Sequence, residues 1–203
     1  MKRMYTFKGY MGNGFLRGRR NELRWYWLPT VASLVMVIVR MESMKVFLDT
    51  EFTGLHRDAK LISIALVAET GEEFYVELTD GYGKEDCSDF VVKTVLPQLD
   101  LKRHGKTLAE AKEQLQKFFH RFDVNLQICS DAPDWDWKFF CYVAQTGSEW
   151  PSNVLATPTD LSNMVGNAVL NSDIERLLVE PPHHALADAR LMRDICFQIG
   201  ASQ

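Results

Sequence analysis

The stretch Lys45-Val-Phe-Leu-Asp-Thr-Glu-Phe-Thr-Gly-Leu55 constrains the fold more than any other part of the chain. It reads as an apolar strand that carries two carboxylates, Asp49 and Glu51, and ends in a tight turn at Gly54. Side chains two apart on a strand point to the same side, with Cα atoms roughly 6 to 7 Å apart. Two like charges held together on a hydrophobic strand resist ionisation unless something positive sits between them. A divalent metal is the simplest such partner.

The residues that follow predict an α/β domain. Leu61–Ala68 is a second strand, Glu69-Thr-Gly-Glu72 a hairpin turn with Gly71 as its permissive residue, and Glu73–Leu78 an alternating third strand. A helix is expected near Asp89–Leu99, interrupted by Pro97. Thr107 and Glu110 form a capping box that starts a helix with Leu108, Ala111, Leu115, Phe118, Phe119 and Phe122 at helical spacing. Asn125–Cys129 reads as a short strand, Ser130–Asp134 as a loop and helix start, and Trp135–Ala144 as a helix. Val154–Thr157 is a weak last strand, and His184–Ile199 the final helix with Gly200 beyond its end. Three antiparallel strands followed by helix-strand alternation describe a mixed central sheet with helices on its faces. At 203 residues and 46% apolar composition, one domain with a sizeable core is expected. Cys87, Cys129, Cys141 and Cys196 form no C-x-x-C pair, which points away from zinc and from a disulfide framework and toward a reducing, cytoplasmic setting.

Charge divides the chain. Residues 1–43 hold eight Lys/Arg and two Asp/Glu, a net of +6, whereas residues 44–203 hold 15 and 25, a net of −10. An acidic body argues against broad gripping of duplex nucleic acid but not against an acidic pocket that binds metal first and phosphate second. Within the basic segment, Trp25–Val39 is apolar but is interrupted by Pro29, Thr30 and Ser33, and it is shorter than the roughly 20 residues that span a bilayer. Membrane association through residues 25–39 is the competing reading; the favoured one makes 1–43 an extension outside the catalytic fold, with Met44 as the effective start. Deleting residues 1–43 is expected to leave catalysis intact, and loss of activity in a soluble, folded truncation would sink that reading.

Two later carboxylates sit on apolar stripes. Ala185, Asp188, Met192, Ile195 and Ile199 share one face of the final helix, and Asp136 shares a face with Phe139, Phe140 and Val143. Singly, Asp136 could serve the helix dipole and Asp188 a neighbouring cap. One shared metal site explains them together with Asp49 and Glu51. Oxygen-only ligands favour Mg²⁺ or Mn²⁺, and four carboxylates suffice for two ions about 4 Å apart, an arrangement suited to in-line attack on a phosphodiester. Pro181-Pro-His-His-Ala-Leu-Ala-Asp188 places an imidazole beside that site as a pH-tuned base.

These residues resemble the DEDDh 3′-to-5′ exonucleases, most of all their small stand-alone exoribonuclease-like members. Asp49-Thr-Glu-Phe-Thr-Gly-Leu55 is similar to the first motif, Trp135-Asp136-x-x-Phe139 to the second and His183-x-Ala185-x-x-Asp188 to the third, in the family's order. The resemblance implies a ribonuclease H-like fold and removal of nucleoside monophosphates from single-stranded RNA or DNA 3′ ends, with RNA favoured. It makes Asp49 a bridge between two divalent ions, Glu51 and Asp188 ligands of one, Asp136 a ligand of the other, and His183 the general base. Thr53, Gly54 and Leu55 would lie against the terminal nucleotide. Two departures leave alternatives open. Asp131 and Asp134 stand near the position where the second motif usually carries an Asn, so either could compete with Asp136, and helical spacing alone would pair His184 rather than His183 with Asp188. Relatives often form homodimers, but no interface is legible here. The competing classes are a non-catalytic nucleic-acid-binding module and a metal-dependent phosphatase that shares the site but needs no 3′ polarity.

Overall fold

The computed structural model of the protein describes residues 43–170 and 183–201. The calls on residues 1–43, including the apolar run 25–39, lie outside the described residues apart from residue 43. Among the described residues no helix is long and apolar enough to cross a membrane.

Six strands form one mixed sheet: β1 (Met44–Phe52), β2 (Leu61–Ala68), β3 (Glu73–Leu78), β4 (Gly105–Lys106), β5 (Leu126–Ser130) and β6 (Thr159–Asp160), in the order β4-β3-β2-β1-β5-β6. β1, β2 and β3 are antiparallel neighbours, as the hairpin at Gly71 (φ 102°) requires, and β5 and β6 run parallel to β1. The helices are α1 (Asp89–Thr94), α2 (Leu101–His104), α3 (Leu108–Phe119), α4 (Pro133–Ala144), α5 (Ser162–Leu170) and α6 (Ala185–Ala201).

Strand alternation divides the core. Val46, Leu48, Ile64 and Leu66 face α3 and α4, where Leu115, Phe118, Phe119, Phe140 and Val143 are buried. Each such fully buried side chain is worth about 1.5–3 kcal/mol. The opposite face carries Phe47, Ala65 and Val67 against Ala185, Ala189 and Met192 of α6. Alanines on both sides of this contact bring α6 close to the sheet, and that proximity lets a short Asp side chain of the helix reach the strand. The Thr107–Glu110 capping box that starts α3 is present in both directions.

Several elements depart from the sequence reading. Residues 154–157 do not form the last strand: only Val154 bridges Leu126, and its carbonyl is taken by the Trp150 indole N–H at 2.7 Å. The sixth strand is instead Thr159–Asp160, after Pro158. The helix expected at 89–99 stops at Thr94 and gives way to a single 3₁₀ turn, Leu96–Gln98, that takes up Pro97. α5 was not anticipated. α6 begins at Ala185, and it continues through Gly200 to Ala201 rather than ending before it. The four cysteines are unpaired.

Candidate active site

The parallel ladder of β1 with β5 ends at Phe47 and Cys129, so Asp49 and Glu51 are paired only with β2, opposite Ala65 and Ser63. Past the carboxyl ends of β1 and β5 opens a cavity of about 800 Å³. Asp49, Glu51, Asp131, Asp136, His183 and Asp188 all line it. Their carboxylates fall into two triads, Asp49–Glu51–Asp188 and Asp49–Asp131–Asp136, and within each triad the oxygens lie within 4.8 Å of one another. Asp49 belongs to both.

Each acid arrives by a different route. Asp49 and Glu51 come from the face of β1 that meets α6, and Asp188 from the first turn of α6 itself. Asp136 comes from the first turn of α4, which covers the other face of the sheet, and its carboxylate sits at the open edge where the two faces meet. Two hydroxyls fix it there: Thr50 Oγ1 donates to Oδ1 at 2.6 Å and Ser130 Oγ donates to Oδ2 at 2.5 Å. Ser130 is itself held by the Ala132 backbone N–H, which donates to its hydroxyl at 2.9 Å. Thr50 reaches Asp136 because it points to the face opposite Asp49 and Glu51. Asp131 joins the cluster directly after β5, whereas Asp134 is exposed and lies outside the cavity.

The electrostatics are those of a site built for positive charge. Burial first, and then repulsion from Asp136, Asp188 and Glu51, push the Asp49 carboxyl well above the usual range. Burial and the same neighbours raise Glu51 to about 8. Asp136 is raised by burial to about 6, although the Ser130 and Thr50 hydrogen bonds pull it down. Asp131 and Asp188 are raised by burial as well. Asp188 Oδ2 accepts from the His184 backbone N–H at 3.0 Å, while Oδ1 is buried with no hydrogen-bond partner. An unpartnered buried carboxylate oxygen aimed at other carboxylates fits a cation, and the all-oxygen donor set fits a hard divalent one.

The two histidines diverge. His183 lines the cavity with a left-handed backbone (φ 47°), its carbonyl accepting from Gln98 Nε2 at 3.2 Å and its ring edge-on to Phe90 at 4.9 Å. His184 turns away, with Nε2 at 3.3 Å from the Tyr75 hydroxyl. Strand-end residues also separate. Thr53 is buried and ties the β1–β2 loop, accepting from the Lys60 backbone N–H at 2.9 Å. Gly54 and Leu55 line the cavity. Leu55 is 76% exposed and Phe90, on α1, is 52% exposed, so two apolar side chains stand uncovered at the rim of an acidic site. Phe90, Thr50 and Ser130 escaped the sequence reading. Only the carboxylates' need for hydroxyl donors could have flagged the last two, and that needs the tertiary contact.

A ribonuclease H-like mixed sheet that gathers clustered carboxylates and a histidine at the carboxyl ends of its central strands defines a metal-dependent nuclease. The family model for the 3′-5′ exoribonuclease Rv2179c-like domain matches residues 44–199, so the chain belongs to that family and is a 3′-to-5′ exonuclease. Solved structures agree in fold. Cell-death related nuclease 4 superposes with a TM-score of 0.58 at 15% identity, over 80% of this chain and 65% of that one. The nuclease domain of 3′hExo, a DEDDh family member bound to rAMP, gives 0.57 at 16%, over 80% and 94%. A 3′-exonuclease described in 3′-end specific recognition of histone mRNA stem-loop gives 0.52 at 12%, over 84% and 70%. The chain thus spans just under two thirds of the first of these nucleases. A comparison with curated proteins finds no match.

Proposed function

We propose that this protein is an exoribonuclease that releases nucleoside monophosphates from single-stranded 3′ ends, using a pair of Mg²⁺ or Mn²⁺ ions held by Asp49, Glu51, Asp136 and Asp188. The observation that carries this reading is the meeting of two acidic triads at one shared carboxylate, Asp49. Bound ions would neutralise the cluster, lower the pKa of an attacking water and offset charge on the phosphate. The chain's own groups supply the rest. His183 takes the proton of the water from its loop at the cavity wall. Leu55 and Phe90 offer apolar surface to the terminal base, and the Gly54 backbone lies against its sugar. Asp131 stands close enough to Asp136 to share its ion, and Asp134 has no part.

RNA rather than DNA is favoured by the family description and by the likeness of the first motif to exoribonuclease-like proteins. The test uses 5′-labelled single-stranded RNA and DNA with Mg²⁺ or Mn²⁺, beside Asp49→Ala. A descending ladder on RNA that vanishes in the variant supports the reading. A ladder on DNA alone supports a DNA-directed exonuclease, and no cleavage of either substrate with either ion would falsify both. The same reading assigns catalysis to residues 44–203, where the family match begins at residue 44.

The histidines give a second prediction. His183→Ala should lower kcat about 10²- to 10⁴-fold with metal affinity unchanged. His184→Ala should keep kcat within about threefold and lower Tm through the lost Tyr75 contact. Steady-state kinetics with calorimetric Mn²⁺ titration separates the two, and the reverse pattern would transfer the base to His184.

A further inference from the structure

Beside the active-site cavity lies a second one of about 500 Å³, between the β1–β2 loop and α4. Arg57 and Lys60 of the loop and Lys138 and Tyr142 of α4 line it, over a floor that includes Leu61 and Phe139. Its polar lining also includes Asp80, whose carboxylate accepts from the Leu108 backbone N–H at 2.9 Å. The two cavities share a wall of stacked rings. Phe52, in the first, lies 5.3 Å from Phe139, in the second, and 5.6 Å from Trp135, in the first.

One face of α4 joins them. Trp135, Lys138, Phe139 and Tyr142 stand at i, i+3, i+4 and i+7, so they form a continuous stripe leading out of the active site. Lys138 Nζ lies over both Trp135 (4.8 Å) and Phe139 (4.6 Å). Tyr142 is 53% exposed and has Lys112 Nζ 5.3 Å from its ring centroid. Lys60 is paired with Asp86 at 2.8 Å, but among the described residues neither Arg57 nor Lys138 has a carboxylate within ion-pair distance. Such a stripe is unexpected in a body with ten more acids than bases. Exposed aromatics alternating with lysines, beside an apolar floor, match what a single strand needs: π-surfaces for bases and positive charge for phosphates.

We infer that the nucleotides upstream of the terminal one leave the active site along this face of α4 and enter the second cavity, where Arg57 and Lys138 hold backbone phosphates and Tyr142 stacks a base. The inference rests on the exonuclease reading above and adds to it the path and polarity of the bound strand. It makes the enzyme sensitive to substrate length, because a dinucleotide fills the active site without reaching the second cavity.

The test compares kcat/KM on a dinucleotide and on a 12-nucleotide single strand for the unaltered protein, Arg57→Glu/Lys138→Glu, and Tyr142→Ala. The charge-reversed protein should lose about 10- to 100-fold on the long substrate and stay within about twofold on the dinucleotide, with a shallower salt dependence by about 1.4 in log–log slope for two phosphates released. Tyr142→Ala should lose about 5- to 100-fold on the long substrate only. Equal losses on both substrates, or no loss on the long one, overturn the inference while leaving the exonuclease reading standing. Absence of cleavage in the unaltered protein overturns that reading and this inference with it.

Discussion

Asp49→Asn abolishes exonucleolytic cleavage and yet makes the metal-free protein more stable. Activity should fall about a thousandfold or more, because the one carboxylate common to both triads is lost and with it the pre-set geometry for charge at the phosphate. Stability moves the other way because Asp49 is pushed toward neutrality by burial and by Asp136, Asp188 and Glu51. Removing one of several like charges from a buried cluster relieves repulsion that nothing in the chain compensates. A gain of about 1 kcal/mol would raise Tm by about 2–4 °C in a protein of this size. The same variant should lose the rise in Tm that saturating Mn²⁺ gives the unaltered protein, about 2.7 kcal/mol at a hundredfold excess over Kd. Thermal unfolding in EDTA and in Mn²⁺, run with the cleavage assay, reads all three. A folded Asp49→Asn protein that keeps a tenth of the activity would remove Asp49 from the centre of the site.

In the absence of divalent ions, stability should fall as pH rises from about 5 to about 8. Glu51 is raised from 4.5 to about 8 and Asp136 from 3.8 to about 6. Between the unfolded and folded pKa values the native state holds more protons than the unfolded one, so stability declines with pH across that window. It is fully present below the unfolded values and is lost by the time pH passes the folded ones. One pKa unit corresponds to about 1.4 kcal/mol; with Glu51 only part-buried, a total loss of about 2–4 kcal/mol is expected. Saturating Mg²⁺ or Mn²⁺ should flatten or invert the slope, since deprotonated carboxylates are the ligands. A metal-free Tm that rises between pH 5 and 8 would contradict the crowding of these acids.

Both predictions concern residues that were legible in the sequence, and the reason is their chemistry. Asp49 and Glu51 are two apart on an apolar strand, and Asp136 and Asp188 lie on stripes that otherwise hold Phe, Val, Met and Ile. A carboxylate in such a place violates the pattern around it, and a violation is visible without coordinates. The three-stranded meander was legible for a similar reason: a period of two in Glu73–Leu78 and a continuous apolar run in Leu61–Ala68 admit few alternatives. The short parallel strands were not. β4 and β6 have two residues each and are defined by their neighbours rather than by any pattern of their own.

What the amino-acid sequence determined by itself was therefore the class of fold, the set of acids and the kind of ion that would hold them together, because these follow from local periodicity and from charges that have no local partner. Tertiary structure decided the choices among neighbours. It put Asp131 and Asp136 in the cluster and Asp134 outside it, turned His183 toward the acids and His184 toward Tyr75, and brought Thr50 and Ser130 from two strands to one carboxylate. Adjacent residues share almost the same sequence context. Which of them faces a cavity depends on where a helix starts and which sheet face it covers, and only long-range packing fixes that.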